Sequence, residues 1–352
     1  MIVLKRGNLI EADAEALVNT VNCDGFMGKG IALQFKQAYP ENFKVYERAC
    51  RAGEVVPGRM LVVPTGSLMN PKYIINFPTK RHWRESSRLE YIATGLRALI
   101  GETRRLGIHS IAVPPLGCGL GGLDWRDVRP MIEQAFGELP DVQVTLFEPT
   151  GAPAARAMPV RTKRPKLTLA RALLVSLMRR YSEMAYRLTL LEIQKLAYLL
   201  QEAGEPLRLK YVAHLYGPYA HNLNKVLETL EGHFIRGYGD TQTPDVEIEL
   251  LPRADEEASR LLTERCDSVA RLERVQAIIE GFETPYGMEL LSSVHWMSVH
   301  GLPPATTADE AVRAVHAWND RKRTMFRPDH IHVAWEQLQS LGWLPEIASR
   351  RG

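Results

Sequence analysis

Six short runs of β-branched and large apolar residues alternate with helical patterns through residues 1–148. The runs cover residues 2–4, 16–18, 61–63, 73–75, 111–113 and 142–146, and the helical patterns cover about 31–38, 41–52, 87–105 and 125–137. Strands that alternate with helices form a sheet that those helices bury on both faces. We therefore expect residues 1–148 to form an α/β domain.

A basic, proline-rich segment ends this pattern at residues 149–166. It holds four prolines and five Arg or Lys residues with no acid, which is typical of an extended linker. Residues 167–352 then change character and are predicted to be mainly α-helical. The predicted helices cover 168–185, 189–203, 219–231, 255–280, 286–299, 308–319 and 331–341.

The formal charge of +3 is a sum of unlike segments. Residues 1–148 contribute +2, the linker +5 and residues 167–352 −4, and residues 228–289 carry 15 acids against 6 bases. No apolar run approaches the roughly 18 residues of a membrane span, so we expect no membrane association. None of the four cysteines lies in a CxxC pair, and the histidines lack ligand spacing. We expect a cytoplasmic protein with no metal and no cofactor.

Two glycine-rich loops each follow a predicted strand and precede a helix. The first runs over residues 19–32, and the second over residues 114–123. Glycine lets the backbone approach a ligand closely, and the first N–H groups of a helix have no partner within it. The N–H groups of Ile31, Ala32, Leu33 and Gln34 are therefore candidate donors to a diphosphate. Neither loop matches the Walker or dinucleotide-binding patterns, which disfavours a kinase or an ordinary dehydrogenase.

Lys80 follows the run at 73–75, in a position where loops carry functional groups. It is interpreted either as a solvated lysine in a polar loop or as a catalytic lysine at a strand end. Arg81, His82, Trp83 and Arg84 come next. They form either an ordinary solvated loop or a contact surface for a base and its flanking phosphates.

The segments around Asn8-Leu9, 18–22, 28–32 and 115–123 resemble macrodomains in order and spacing. The resemblance implies a mixed sheet flanked by helices and a site that binds ADP-ribose. It assigns ligand binding to residues of the strand ends and both glycine loops: Asn8, Leu9, Thr20, Val21, Asn22, Ile31, Ala32, Leu33, Gln34, Thr79, Gly117, Cys118, Gly119, Leu120 and Gly121.

The runs 79–81 and 117–120, with Leu123 and Trp125, resemble the subgroup that contains the human terminal ADP-ribose glycohydrolase. Together with the helical second half, the whole chain resembles the DarG family of antitoxins. This implies that the chain hydrolyses the bond between ADP-ribose and thymine in single-stranded DNA and releases ADP-ribose. It further implies that residues 167–352 bind and inhibit a DarT-like ADP-ribosyltransferase toxin. Residues 193–200 and 216–219 also resemble SocA-like antitoxin domains.

The resemblance gives Lys80 and Asn22 catalytic roles. Lys80 would donate a hydrogen bond or proton to the leaving base, or form an imine with the opened ribose. Asn22 would orient the ribose or a water, and its alternative role is to form the turn that precedes the glycine loop. The acidic stretch 228–289 would occupy the DNA groove of the toxin by mimicry, or it is simply a solvated face.

Two positions depart from the resemblance. Macrodomains usually carry Asp where this chain has Asn8, whose amide oxygen can still accept a hydrogen bond from the adenine amino group. The human glycohydrolase has an acid where this chain has Gly121, which disfavours protein glutamate as the substrate. A non-catalytic ADP-ribose reader and a hydrolase acting on O-acetyl-ADP-ribose or on ADP-ribosylated protein remain the alternatives.

Overall fold

The computed structural model describes residues 1–149, 158–184, 188–239 and 246–345. These residues fall into two compact units, one built mainly from residues 1–164 and the other mainly from residue 165 onward. No helix in the described ranges is long and apolar enough to cross a membrane.

The first unit is built around a six-stranded sheet in the order β1-β6-β5-β2-β4-β3. Its strands are β1 (Ile2–Lys5), β2 (Ala16–Val21), β3 (Leu61–Pro64), β4 (Tyr73–Pro78), β5 (Ser110–Val113) and β6 (Gln143–Phe147). All neighbouring pairs are parallel except β3 with β4, so the sheet is mixed. The carboxyl ends of the parallel strands therefore meet at one edge.

Four helices cover the two faces of this sheet: α1 (Gly30–Ala38), α2 (Pro40–Arg51), α3 (Leu89–Leu106) and α4 (Trp125–Phe136). Side chains alternate between the faces along a strand. In β2, Ala16 and Val18 pack in a cluster with α3 and α4, whereas Leu17 packs on the other face with α1. The α/β fold predicted for this half of the chain is confirmed, and its strands and helices begin and end close to the predicted residues.

Three buried asparagines connect the ends of two central strands to a helix. Asn19 of β2 donates to Asn76 Oδ1 of β4 at 3.0 Å, and Asn76 donates to Asn42 Oδ1 of α2 at 2.7 Å. Buried amides are stable only when they are hydrogen-bonded, so this network fixes the side chains relative to one another. It therefore fixes β2 and β4 at the edge from which their loops leave the sheet.

The predicted linker lies only in part within the described residues, since residues 150–157 fall outside them. Residues 158–164 belong to the first unit. Met158 is buried, the Arg161 N–H donates to the Gln37 carbonyl at 2.8 Å, and the Arg161 guanidinium lies 5.5 Å from the centre of the Tyr39 ring.

The second unit is largely helical, as predicted. Its helices are α5 (Leu169–Met184), α6 (Leu190–Glu202), α7 (Leu223–Leu230), α8 (Ala254–Leu262), α9 (Cys266–Ile279), α10 (Pro285–Val299), α11 (Ala308–Trp318), α12 (Asp320–Met325) and α13 (Pro328–Ser340). Two details of the helix prediction were wrong. The helix predicted over 255–280 is interrupted between α8 and α9, and the helix predicted over 219–231 begins only at Leu223.

Residues before α7 form a hairpin, β7 (Tyr211–His214) and β8 (Gly217–Ala220), because Gly217 adopts a φ of +92° at the turn. A second short pair joins β9 (Ile235–Arg236) to β10 (Glu249–Leu250). The two segments that resemble SocA-like domains contact each other here. Lys195 of α6 donates to the Pro218 carbonyl at 2.7 Å, and Gln194 exchanges hydrogen bonds with the backbone of Ala220.

Candidate functional site

The candidate site lies where β5, β2 and β4, which are neighbours in the sheet, end at the same edge. The loop after β2 is the first glycine loop, the loop after β5 is the second, and the loop after β4 carries Lys80. Sites of α/β proteins commonly form at the carboxyl ends of such strands. The sheet thus brings together three segments that are far apart in sequence.

Asn22 organises the first glycine loop. Its Oδ1 accepts hydrogen bonds from the Asp24 N–H at 2.9 Å, the Phe26 N–H at 3.4 Å and the Tyr46 hydroxyl at 3.0 Å. Its Nδ2 donates to the Phe26 carbonyl at 2.7 Å. Asn22 therefore forms the turn, as considered from the sequence. The second hydrogen of its Nδ2 is the part of the amide that is left to contact a ligand.

Helix α1 starts at Gly30, one residue before the predicted start. The Leu33 N–H donates to the Lys29 carbonyl at 3.4 Å, and the Gln34 N–H belongs to the regular i to i−4 hydrogen bonds of the helix. Ile31 and Ala32 keep N–H groups that the helix itself does not use. Of the four predicted backbone donors, these two remain available to an anion.

The second glycine loop is a compact turn that leaves three successive N–H groups available. The Leu123 N–H donates to the Gly117 carbonyl at 3.0 Å, and Gly117 adopts a φ of +72°. Within the described residues, the N–H groups of Gly119, Leu120 and Gly121 make no hydrogen bond. Successive amides of this kind form concave sites for anions.

The two glycine loops approach each other closely. A Cβ added to Gly30 at the start of α1 would lie 3.2 Å from Cδ1 of Leu120 in the second loop. Gly30 also has a positive φ of +58°, so a side chain here would be strained as well as crowded. The two glycine loops therefore meet at one place, and their binding of a common ligand stays a prediction.

Gly121 has no room for any side chain. A Cβ at this position would overlap the Ser87 hydroxyl and the Gly117 carbonyl oxygen, and the Ser87 N–H donates to the Gly121 carbonyl at 2.8 Å. An acid at position 121 would require both neighbours to move. The packing of Ser87 in this chain is therefore incompatible with an acid at position 121.

Lys80 lies between the other two loops, and its ammonium is held by backbone oxygens. Its Nζ donates to the Leu120 carbonyl at 2.9 Å and to the Glu85 carbonyl at 3.1 Å. Burial lowers the pKa of Lys80, and the nearby negative charge of Glu85 opposes this shift. One of the three ammonium hydrogens is left for a ligand. Lys80 is thus half-buried and positioned, unlike an ordinary solvated lysine.

The residues after Lys80 form a folded turn beside the first glycine loop. Asp24 Oδ2 accepts from the Trp83 N–H at 2.9 Å and lies 3.7 Å from His82 Nε2. The Arg84 guanidinium lies 4.6 Å from the centre of the Trp83 ring, and Arg81 Nε donates to the Tyr91 hydroxyl at 3.3 Å. The four predicted DNA-contact residues therefore lie together at the edge of the site.

Asn8 caps the short turn Leu9–Glu11. Its Oδ1, the atom expected to accept from adenine, already accepts from the Ile10 N–H at 3.0 Å. Its Nδ2 is buried and has no partner within the described part of the chain. Of the remaining predicted binding residues, Leu9 is buried in this turn. At the strand ends, Val21 and Thr79 are buried, Thr20 is half-buried, and the Thr79 N–H donates to the Val21 carbonyl at 3.0 Å.

The cysteines of the site are thiols. Burial raises the pKa of Cys118 to about 12 and that of Cys23 to about 11, so neither forms a nucleophilic thiolate near neutral pH. In the described ranges, no group of three His, Cys, Asp or Glu side chains is placed to hold a metal ion.

Sequence reasoning missed four residues that shape the site: Asp24, Phe26, Glu85 and Ser87. Asp24 and Ser87 act through contacts with other loops, and Glu85 contacts Lys80 and His82 because its own loop folds back, which a sequence does not reveal. Phe26 did carry a signal, because a large aromatic residue in a glycine-rich loop has little local structure to pack against.

The chain is similar in sequence to known proteins. Residues 18–132 match the macro domain family. The chain is 46% identical to a DNA ADP-ribosyl glycohydrolase of Thermus aquaticus over 98% of this chain and 94% of that protein. It is 32% identical to a DNA ADP-ribosyl transferase–DNA ADP-ribosyl glycohydrolase fusion protein of Thermosipho africanus, over 42% of this chain and 41% of that protein. The solved macrodomain of Mycobacterium tuberculosis DarG is 59% identical and covers 43% of this chain and 99% of its own, with a TM-score of 0.42.

We expect Gly121→Ala to impair the site by moving the Leu120 carbonyl away from Lys80. The added methyl group must displace Ser87 or the Gly117 carbonyl, and overpacking of this kind costs about 1–3 kcal/mol of stability. ADP-ribose affinity measured by calorimetry should fall at least about tenfold, which corresponds to 1.4 kcal/mol. Gly101→Ala in α3 is the matched control, because a Cβ there meets open space. Equal affinities of the two variants would contradict the role given to Gly121.

Proposed function

The chain belongs to the DNA ADP-ribosyl glycohydrolase (DarG) family, and on this premise we propose that it removes ADP-ribose from single-stranded DNA by hydrolysing the N-glycosidic bond to thymine. The observation that carries the proposal is Lys80. It is a half-buried lysine whose Nζ is held 2.9 Å from the Leu120 carbonyl, between two loops that present backbone donors. Such a site can bind a diphosphate and place a cation beside the bond that breaks.

Binding of ADP-ribose is assigned to backbone amides. The N–H groups of Ile31 and Ala32 at the start of α1 lie on one side, and those of residues 119–121 lie on the other. A helix N-terminus adds partial positive charge, which favours an anion. The diphosphate therefore needs few charged side chains here, and the charge of only +2 on residues 1–148 is compatible with an anionic ligand.

Cleavage of the glycosidic bond leaves negative charge on the thymine nitrogen and positive charge on the ribose. The third ammonium hydrogen of Lys80 can donate to that nitrogen, either as a hydrogen bond or as a transferred proton. The lowered pKa of Lys80 favours transfer, because a partly desolvated ammonium gives up its proton more readily. Water then adds to the ribose cation. The proton that this water releases returns to the neutral amine of Lys80, or goes to the thymine anion if Lys80 has kept its own proton. Asn22 acts as a positioning residue for the first glycine loop.

Lys80→Ala should abolish turnover and leave ADP-ribose binding nearly intact. Loss of a positioned acid typically lowers the rate by about 10²- to 10⁴-fold, whereas the diphosphate donors lie in the backbone. The substrate is an oligonucleotide that carries one ADP-ribosylated thymidine, and the measurement is the release of free ADP-ribose. Near-normal turnover by the purified variant would remove Lys80 from the mechanism.

Lys80→Arg separates the possible roles of the ammonium. Arginine keeps the positive charge but does not give up a proton near neutral pH and does not form an imine. Retained activity would assign Lys80 to charge stabilisation alone. Borohydride added during wild-type turnover tests the imine route, because a reduced imine leaves a covalent adduct on Lys80 that mass spectrometry detects.

We expect Glu85→Gln to shift the pH dependence of kcat to lower pH. The Glu85 carboxylate raises the pKa of Lys80, so removing its charge lowers that pKa further. If protonated Lys80 is the acid, activity is lost as pH rises through its pKa, and the basic limb moves to lower pH. The amide of glutamine keeps an acceptor for the His82 N–H, which lies 3.4 Å from Glu85 Oε2. An unshifted basic limb would contradict Lys80 as the acid.

We also propose that the second unit binds an ADP-ribosyltransferase toxin. The Thermosipho relative, by its name, unites a transferase and a glycohydrolase in one chain. In this chain the acidic stretch 228–289 includes α8 and α9, and the side chains of Glu256, Glu264, Asp267, Glu273 and Glu280 are exposed there. A transferase that holds DNA must present a basic groove, which a negatively charged surface can approach rapidly and occupy.

The double variant Glu264→Lys, Asp267→Lys should slow association of the full-length protein with the toxin. At low salt we expect the association rate to fall about tenfold, and the difference should shrink as salt screens the charges. Glu54→Lys, an exposed charge reversal in the first unit, is the control. Unchanged association in both variants would show that the acidic stretch is only a solvated face.

A further inference from the structure

Two large aromatic side chains are exposed beside Lys80, one on each of two loops. Phe26 is 43% exposed and Trp83 is 44% exposed, and their ring centres lie 6.3 Å apart at 68°. His82 stacks on Trp83 at 5.8 Å with the rings inclined by 29°, and the Arg84 guanidinium lies 4.6 Å from the Trp83 centre. We call Phe26, His82, Trp83 and Arg84 the aromatic platform.

The aromatic platform is fixed before any ligand arrives. Asp24 connects the two loops that carry the platform. It follows Cys23 in the first glycine loop, and its carboxylate accepts from the Trp83 N–H of the other loop at 2.9 Å. The Arg84 N–H donates to His82 Nδ1 at 3.2 Å, which directs the Nε2 proton of His82 towards Asp24. Exposed rings that are held in this way lose little entropy when a flat ligand stacks on them.

The platform is directly joined to the catalytic lysine. Cys23 Sγ donates to the Lys80 carbonyl at 3.4 Å, and the Cys23 N–H donates to the Arg81 carbonyl at 3.0 Å. The loop that carries Phe26 therefore runs alongside the segment that carries Lys80 and Trp83. The aromatic platform is therefore carried by the two segments whose backbones meet at Lys80 and Arg81.

The charges around the platform suit a phosphate backbone. Asp24 and Glu85 are the acids of the two loops that carry the platform, and their carboxylates accept from the backbone N–H groups of Trp83 and His82. Arg84 stacks on Trp83, and Arg81 and Arg88 lie 6.0 Å and 5.7 Å from the centre of the Tyr91 ring. Aromatic rings flanked by arginines are the usual surface for unpaired nucleotides.

We propose that the aromatic platform stacks an unpaired base next to the ADP-ribosylated base, a role that rests on the proposed function. Both faces of a base are hidden in a duplex, whereas in a single strand a neighbouring base can leave its stack and lie on Trp83. Stacking reads no hydrogen-bond pattern, so the platform selects a flexible single strand without requiring a particular neighbouring sequence.

The test combines protein variants with substrate variants. One oligonucleotide carries a single ADP-ribosylated thymidine between two ordinary nucleotides, and a second carries abasic sites at both neighbouring positions. Trp83→Ala should raise KM for the first strand about tenfold, and the abasic strand should raise KM for the wild-type protein by a similar factor. Because both changes remove the same stack, their effects should not multiply when combined. Trp83→Phe should stay close to wild type.

Leu68→Ala is the control, since Leu68 is 97% exposed in the β3–β4 loop at the opposite end of β4. The platform would be overturned if the increases in KM caused by Trp83→Ala and by the abasic strand multiply when they are combined. An unchanged KM in Trp83→Ala would also overturn it. The dissociation constants of the same strands without ADP-ribose are measured in parallel. If the wild type releases no ADP-ribose, but the effects of Trp83→Ala and of the abasic sites on these dissociation constants do not multiply, hydrolysis is rejected and the platform is retained.

Discussion

The ammonium of Lys80 donates to the carbonyl oxygens of Leu120 and Glu85, which belong to loops that follow two different strands. These bonds bring the second glycine loop and the turn after β4 to the same point. They also remove Lys80 from bulk water, which lowers its pKa, while backbone oxygens replace part of the lost hydration. The arrangement depends on Gly121, whose missing side chain lets Ser87 pack against the loop that presents the Leu120 carbonyl.

The sheet explains why three distant segments can meet at Lys80. Parallel strands end at one edge, and the buried amides of Asn19, Asn42 and Asn76 fix β2 and β4 there relative to α2. The loops that leave this edge then need few further contacts to become ordered. Asn22 closes the first loop through its own amide, and Asp24 joins that loop to the turn at Trp83. The proposed binding groups are largely backbone amides, so the site needs few charged side chains.

The second unit holds its charges in a different way. Glu289 is buried and accepts from Lys322 at 2.8 Å and Arg321 at 2.6 Å. Lys195 is also buried, and burial lowers its pKa to about 7. Lys195 and Arg321 both contact the hairpin that contains Gly217. The exposed acids lie elsewhere, on α8 and α9, which is why a binding role is assigned to that surface.

The sequence by itself determined the α/β architecture of the first unit, because burial of a sheet on both faces requires the apolar runs seen at residues 16–18, 73–75 and 111–113. It also marked the glycine loops and Lys80, since glycine and strand-end positions leave a local signature. The sequence-based prediction started helix α7 before Leu223 and joined α8 and α9 into one helix, and both predictions were wrong. At these positions tertiary packing overrides local helix propensity. Three features were decided only by the tertiary structure. The N–H groups of Leu33 and Gln34 are used within α1, and the Asn22 amide hydrogen-bonds within its own loop. The Phe26 ring contacts the Trp83 ring. The reason is physical: hydrogen bonds and ring contacts between loops depend on distances that the sheet sets between residues far apart in the chain.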